Sequence, residues 1–187
     1  FMLSFETLYS MGHEQVVFFS DPTCNLKAIV AIHNTVLGPA LGGTRMWNYA
    51  NEWEALNDVL RLSRGMSFKS SISGLNLGGG KAVIIGDAKT LKTPELMRKF
   101  GEYVHSLSGK YITAEDVGME TKDMDTVREV TPYVTGISEE KGGSGNPSPI
   151  TAYGVFMGLK AASKYRFGSD NLEGKNTIWT QNANAEY

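Results

Sequence analysis

Two lysines on either side of a glycine-rich segment are the strongest candidates for chemistry in this sequence of 187 residues. Lys69 falls at the end of a predicted helix, and Lys81 follows residues 74–80 at the start of a predicted strand. If the two elements pack together, like charges in a partly desolvated cleft would disfavour protonation. One lysine could then act as a base near neutral pH while the other holds a carboxylate. The alternatives are a helix cap for Lys69 and a solvated turn residue for Lys81.

The glycines at positions 78–80 could bring the main chain close to a ligand. Residues without a side chain permit conformations that others resist, and their N–H groups would be available to an anion. Lys81 would then lie at the rim of a sheet, where α/β active sites gather. The spacing excludes a phosphate-binding P-loop, which would need a glycine in place of Leu75 and a hydroxyl in place of Ala82.

Two adjacent carboxylates, Glu115 and Asp116, form a second candidate at the end of a predicted strand. Neighbouring side chains on a strand point to opposite faces, so the two cannot both face one cleft if the strand continues. Asp116 lies next to Gly118 and is the better candidate for an acid in a cleft. The alternative is a cap or a turn, which is a common use of such a pair.

The elements that would position these residues alternate along the chain. Asp21-Pro22 and Gly38-Pro39 bound β-branched and aromatic runs that predict early strands, and apolar residues repeat at helical spacing after Asn51. The predicted strands are 15–19, 26–32, 44–47, 81–85, 110–113, 133–137 and 176–180. The predicted helices are 5–9, one from Asn51, one from Pro94, 123–130, and one that follows the loop 142–149 and ends near Tyr165. Strands in hairpin order followed by strand–helix alternation predict an α/β fold, with a mixed sheet flanked by helices.

Composition is that of an ordinary globular protein, with 41% hydrophobic and 20% charged residues and a net charge of -2. The balance of charge favours neither nucleic acid nor an anionic membrane as a partner. The single Cys24 excludes an intramolecular disulfide framework, and the three histidines show no metal-ligand spacing. No apolar run approaches the ~20 residues that span a bilayer, and no signal-peptide pattern is present. A cytoplasmic protein without a metal site is the simplest interpretation.

Four segments together resemble the amino-acid dehydrogenase family that acts on glutamate, leucine, phenylalanine and valine. They occur in family order and cover nearly the whole chain: residues 37–47 (LGPALGGTRMW), 74–81 (GLNLGGGK), 111–118 (YITAEDVG) and 145–155 (GNPSPITAYGV). The sequences of residues 75–80 (LNLGGG) and 113–118 (TAEDVG) are more similar to the leucine branch of the family than to the phenylalanine branch. The resemblance implies a dimerisation-type N-terminal domain, assembly into a homo-oligomer, and a Rossmann domain that binds NAD.

The implied activity is the reversible NAD-dependent oxidative deamination of an L-amino acid to its 2-oxo acid and ammonium. By this resemblance Lys81 would be the base that activates the water attacking the iminium intermediate. Asp116 would exchange protons with the substrate nitrogen, and Lys69 would bind the substrate carboxylate. Backbone N–H groups near Gly42, Gly43 and Gly78 would assist Lys69. Thr151 would contact the nicotinamide.

The resemblance also places an apolar pocket around the substrate side chain, with Leu41, Met66 and Ala114 among its residues. Glutamate-specific relatives have a lysine where this chain has Leu41. An apolar pocket would leave a second carboxylate desolvated and unpaired, which argues for an aliphatic or aromatic substrate. Because one methylene is worth only ~1–3 kcal/mol, we expect leucine, valine and isoleucine all to be accepted.

Two domains are expected. Residues 1–147 would form the substrate-binding, catalytic and oligomerisation domain. Residues 148–187 would form the linking helix and first strand of an incomplete Rossmann domain. Asn182 and Asn184 stand where glycines are expected, and their side chains would obstruct a pyrophosphate. We therefore expect doubtful NAD binding and little dehydrogenase activity from this chain alone. The alternative is a non-catalytic module that keeps the amino-acid cleft for oligomerisation or sensing.

Overall fold

The computed structural model describes residues 5–176, which divide between Gly145 and Asn146 into two compact units. The helices and strands of the first unit are α1 (Phe5–Met11), β1 (Gln15–Asp21), β2 (Leu26–Asn34), β3 (Ala40–Trp47), α2 (Glu52–Ile72), β4 (Gly78–Ile85), α3 (Pro94–Ser106), β5 (Tyr111–Glu115) and α4 (Thr121–Arg128), followed by a 3₁₀ turn (Glu139–Lys141). The described part of the second unit contains α5 (Ser148–Phe167). The division into domains at 147/148 stays a prediction.

The five strands form one mixed sheet in the order β1-β2-β4-β3-β5. The neighbours β1, β2 and β4 are antiparallel, whereas β4, β3 and β5 run parallel. The predicted α/β class with a mixed sheet is therefore confirmed. β4 lies at the centre of the sheet, between the antiparallel half and the parallel half.

Alternation along the strands builds a core on each face of the sheet. On one face Ile29 and Val83 are buried with Val59 and Leu60 of α2. On the other face Ile84 belongs to a larger cluster formed with residues of α3 and α4, among them Leu96, Phe100, Met124 and Val127. Because a strand points successive side chains to opposite faces, Lys81 shares the α2 face with Val83.

The glycine cluster is part of β4, which therefore begins three residues earlier than the strand predicted from Lys81. Gly78 pairs with Ala40, and Gly79 pairs with Leu41. The absent side chains leave room for neighbouring backbone: a Cβ atom on Gly78 would lie 1.9 Å from the carbonyl oxygen of Asn34. One on Gly79 would lie 2.2 Å from the backbone nitrogen of Ser67. These glycines therefore serve close packing of β4 against β2 and α2.

The other predicted elements agree with the structure except at a few places. Asn51 and Thr93 cap α2 and α3, as predicted, through bonds to the N–H groups of Glu54 and Leu96. The predicted strand 133–137 is wrong, since only a single bridge joins Val134 to Thr113. Gly136 has a φ of 73°, which no regular strand adopts. The predicted strand 176–180 lies outside the described residues from position 177 onward.

No helix among residues 5–176 has the length and apolar character needed to cross a membrane. The predicted cytoplasmic location stays a prediction.

Two histidines that are far apart in the sequence meet where β2 packs on α2. The rings of His13 and His33 are 5.0 Å apart, and they bond to the hydroxyls of Ser63 and Ser67 at 2.8 and 2.7 Å. The Ser63 hydroxyl also lies 3.0 Å from the Leu60 carbonyl, to which it donates. It therefore accepts from Nε2–H of His13, and Nδ1 of His13 is buried without a described partner. Burial, with the neighbouring His33, lowers the pKa of His13 to about 4.

We expect Gly79→Ala to destabilise the fold by ~1–3 kcal/mol or more, because the new methyl group would overlap the α2 backbone and force the helix away. Gly65→Ala is the matched control on α2, since a Cβ there meets nothing within 4 Å. That substitution should stabilise the protein by roughly 0.5–1 kcal/mol. Denaturant unfolding measures both. Equal stability of Gly79→Ala and the wild type would contradict the packing described for β4 and α2.

The His13 environment predicts a loss of stability in mild acid. A lowered pKa in the folded state means that the unfolded chain binds the proton first as the pH falls below 6.5. The free energy of unfolding should therefore drop by up to about 3 kcal/mol between pH 6.5 and 4. His13→Gln retains a donor for Ser63 and removes the titration, so its unfolding curves should depend less on pH. An identical pH dependence in both proteins would refute this assignment.

Candidate active site

Lys81 is buried at the centre of the sheet and is not at its rim. It is the fourth residue of β4 and is 6% exposed, because the glycines before it belong to the strand. An ammonium group removed from water needs an anion close by. Its partner directly follows β5, which lies on the far side of β3 in the sheet.

That partner is Asp116, the first residue after β5. Its Oδ2 lies 2.6 Å from Nζ of Lys81. The carboxylate reaches across β3 because Gly43 has no side chain: a Cβ there would lie 2.9 Å from the Cβ of Asp116. The chain then turns, with the N–H of Met119 donating to the Asp116 carbonyl and Gly118 at a φ of 82°. This positive φ is the one that the third residue of a type II turn requires.

Burial and charge act on this pair in a consistent way. Burial lowers the pKa of Lys81 below its ordinary value, and it outweighs the opposing influence of Asp116. Burial alone would raise the pKa of Asp116, but the Lys81 and Arg45 cations outweigh it, and the pKa lies below its ordinary value. Asp116 is therefore a carboxylate at neutral pH, and Lys81 gives up its proton more readily than a lysine in water. These are the properties of a base paired with a proton acceptor.

Three further polar side chains adjoin the pair, and the sequence analysis did not select them. Nε of Arg45 lies 3.2 Å from Oδ2 of Asp116, and its Nη1 lies 2.9 Å from Oδ2 of Asp58 on α2. The hydroxyl of Tyr49 donates to the same Asp58 oxygen at 2.7 Å. One signal was available in the sequence: Arg45 lies two residues after Gly43 and therefore shares its face of β3.

The remaining predicted site residues are divided between this face and other places. Leu41 and Gly43 lie on β3 on the Lys81 side, and the half-buried Ala114 pairs with Gly43. Gly42 has the opposite orientation, where a Cβ would lie 1.7 Å from the carbonyl oxygen of Gly80. The N–H of Gly78 donates to the carbonyls of Gly38 and Pro39, so this amide is not available for a substrate carboxylate.

Two predicted residues come from α2, which packs over β4. Met66 is half-buried and Lys69 is exposed in the last turn of the helix. Arg45 is a cation whose charge acts on Lys81, and the cleft shared by Lys69 and Lys81 stays a prediction. The helix-cap alternative for Lys69 is compatible with this position.

The described residues offer no cradle for a dinucleotide around the glycine cluster. Gly78–Gly80 is enclosed by Asn34, Ser67 and Tyr111, so a pyrophosphate cannot approach it. Thr151, the predicted nicotinamide contact, is exposed on the first turn of α5 in the second unit. Within residues 5–176 there is also no cluster of three or more His, Cys, Asp or Glu side chains that could hold a metal ion.

Comparison with known proteins identifies the fold that carries this pair. The profile of the family described as "Glu/Leu/Phe/Val dehydrogenase, dimerisation domain" matches residues 13–133. The chain belongs to this family. The match runs from the segment before β1 to the end of the α4 region, so it includes Lys81, Asp116 and the Arg45 network.

Individual members of the Glu/Leu/Phe/Val dehydrogenase family are similar along most of this chain. Leucine dehydrogenase of Bacillus subtilis is 58% identical over 171 residues, which are 91% of this chain and 47% of that enzyme. Phenylalanine dehydrogenase of Lysinibacillus sphaericus is 53% identical over 164 residues, 88% of this chain and 43% of that enzyme. The crystal structure of L-tryptophan dehydrogenase from Nostoc punctiforme superposes with a TM-score of 0.70 at 46% identity, covering 91% of this chain and 48% of that one. The chain thus spans about half the length of the relatives it matches.

Proposed function

We propose that this chain carries the amino-acid half of an NAD-dependent dehydrogenase that converts a branched-chain L-amino acid, water and NAD⁺ to the 2-oxo acid, ammonium, NADH and a proton. The observation that carries the proposal is the buried Lys81–Asp116 pair, 2.6 Å apart on the face that also presents Leu41 and Ala114. The 58% identity to a leucine dehydrogenase supports leucine over glutamate as the substrate.

In the proposed reaction Lys81 removes a proton from the water that adds to the iminium carbon. Asp116 accepts and returns protons at the substrate nitrogen, and the short contact with Lys81 lets a proton pass between the two. When NAD is bound, it supplies the hydride acceptor. The described residues do not form its pyrophosphate site, so their part is restricted to the amino acid. Thr151 stays the proposed contact to the nicotinamide.

Substrate binding is proposed for the residues around the pair. The Lys69 ammonium would bind the substrate carboxylate, and amides near Gly42 and Gly43 would assist it. The amide of Gly78 is withdrawn from this role because backbone carbonyls already accept from it. The substrate side chain would contact Leu41, Met66 and Ala114. A second carboxylate on the substrate would find no cation among these three apolar side chains.

The experiment measures NADH formation with L-leucine and with L-glutamate. It uses the chain alone and the chain joined to the part of B. subtilis leucine dehydrogenase that it does not match. We expect the joined protein to oxidise leucine in preference to glutamate. Lys81→Ala should lower kcat by roughly 10²–10⁴-fold, because a general base is lost. Lys69→Ala should chiefly raise KM, on the order of tenfold or more, because a charge-assisted bond is lost.

Circular dichroism of each variant is the control for folding. Near-normal turnover by Lys81→Ala would remove the lysine from the role of base. A preference for glutamate would overturn the assignment of substrate. Leucine binding without any turnover in the joined protein would instead support a sensing module.

We also propose that the first unit assembles with other copies of this chain through β1, the outermost strand beside β2. The matched family profile is described as a dimerisation domain. The apolar run 16–19 is typical either of a core strand or of a subunit contact. Its Val16, Val17 and Phe19 pack against the two cores, while Phe18 is 55% exposed beside a groove. An exposed edge strand with an aromatic side chain readily pairs with a second copy.

Multi-angle light scattering should therefore give a mass that is a multiple of the single-chain mass. Phe18→Glu should shift the equilibrium toward smaller species, because it places a charge at the contact. Ile72→Glu is the matched control, since Ile72 is 90% exposed at the end of α2. It should leave the mass unchanged. A monomeric wild type would contradict the proposed assembly.

A further inference from the structure

The Asp116 carboxylate is shared between two cations. Its Oδ2 lies 2.6 Å from Nζ of Lys81 and 3.2 Å from Nε of Arg45. A carboxylate with a single cationic partner would direct its whole charge to that partner. Here the second cation competes for the same oxygen, and the competition is built into adjacent strands, since Arg45 is on β3 and Lys81 is on β4.

Arg45 is itself held from the other side by α2. Its Nη1 lies 2.9 Å from Oδ2 of Asp58, whose side chain is only 8% exposed. Tyr49 donates to the same Asp58 oxygen, and burial together with this bond raises the pKa of the phenol, so Tyr49 stays a donor. The planar guanidinium can bond two carboxylates along different edges, which the compact ammonium of a lysine does less well.

We propose that Arg45 is a positioning residue that shares the Asp116 carboxylate with Lys81 and thereby weakens the hold of that carboxylate on the Lys81 proton. Asp58 and Tyr49 hold Arg45 toward α2. Their hold on Arg45 determines how strongly the guanidinium competes with Lys81 for the Asp116 carboxylate. The set contains two cations, two carboxylates and one neutral phenol. Its net charge is therefore close to zero, which makes its burial tolerable.

The arrangement predicts that removal of Arg45 and removal of the Asp58 charge change the pKa of Lys81 in opposite directions. Without the guanidinium, Asp116 faces Lys81 alone and holds its proton more firmly. Without the charge on Asp58, Arg45 interacts with Asp116 alone. The Asp116 carboxylate is then less available to the Lys81 ammonium, and Lys81 also loses the electrostatic attraction of Asp58, so it gives up its proton more readily. The charged and titratable groups that act on Lys81 are Asp116 after β5, Arg45 on β3 and Asp58 on α2.

The experiment titrates Lys81 in the full chain by NMR of isotope-labelled lysine side chains, with the signal assigned by its loss in Lys81→Met. Arg45→Met should raise the titration midpoint by roughly one pH unit, and Asp58→Asn should lower it by a similar amount. Arg45→Lys retains the positive charge and should lie between Arg45→Met and the wild type. Arg98→Met is the matched control, because Arg98 pairs with Glu129 at 2.7 Å on the surface. It should leave Lys81 unchanged.

A purely structural role for Arg45 gives a different result. Loosening α2 from β3 would admit water to Lys81, so both Arg45→Met and Asp58→Asn would raise the midpoint. That outcome, or no shift in either variant, overturns the proposal. If Arg45→Met does not fold, the nearly isosteric Asp58→Asn decides alone: a lowered midpoint supports the proposal and an unchanged or raised one refutes it.

The consequence for catalysis rests on the proposed function, in which Lys81 is the base. The titration needs neither substrate nor cofactor. Failure of the dehydrogenase assay would therefore leave the Arg45 result interpretable, and a failed titration would leave the proposed reaction standing with a different source for the basicity of Lys81.

Discussion

The structure depends on one electrostatic constraint, which is the burial of an ammonium group in the central strand of a sheet. Lys81 is 6% exposed, and an unpaired cation there would cost several kcal/mol. The constraint is met by bringing a carboxylate across an intervening strand. This requires a residue without a side chain at position 43 and a tight turn immediately after β5. Both requirements are visible in the close approach at Gly43 and in the positive φ of Gly118.

The turn that carries Asp116 is held from a second direction. Nζ of Lys92 donates to the carbonyl of Gly118 at 2.9 Å and lies 2.6 Å from Oδ2 of Asp123 on α4. Lys92 and Asp123 are both nearly buried, so this bond is shielded from water and salt. The position of Asp116 is thus determined by β5 before it, by α4 after it, and by Lys92, which bonds both to the turn and to α4.

The opposite face of β3 and β5 carries polar side chains that take no part in the site. The hydroxyls of Thr44 and Thr113 lie 2.6 Å apart, and Tyr111 donates to the Gly42 carbonyl at 2.6 Å. These bonds satisfy the buried polar groups on that face of the sheet.

The sequence selected Lys81 for its place after the glycine cluster and Asp116 for its place at a strand end, as two separate candidates, and it did not predict that their side chains would pair. It misplaced the glycines, since three in a row are typical of a loop and only tertiary contact with Ser67 and Asn34 explains them in a strand. The role of Asp58 could not be predicted from the sequence, because an acidic residue on an amphipathic helix normally faces solvent. The run 133–137 has a strand-like pattern, but Val134 and Ile137 are buried without a ladder.

The exposure of the pair also restricts the path of a proton. The Asp116 side chain is 22% exposed and that of Lys81 is 8% exposed, so the carboxylate lies on the solvent side of the amine. The helix α2 packs over β2 and β4 on the face that carries Lys81. On the neighbouring strands β3 and β5, Leu41 and Ala114 are only half-buried. In the proposed reaction a substrate therefore meets Asp116 first, and protons reach Lys81 past an oxygen whose charge Arg45 already shares. The basicity of the lysine is then adjusted by Arg45 and Asp58, which are not among the residues proposed to touch the substrate.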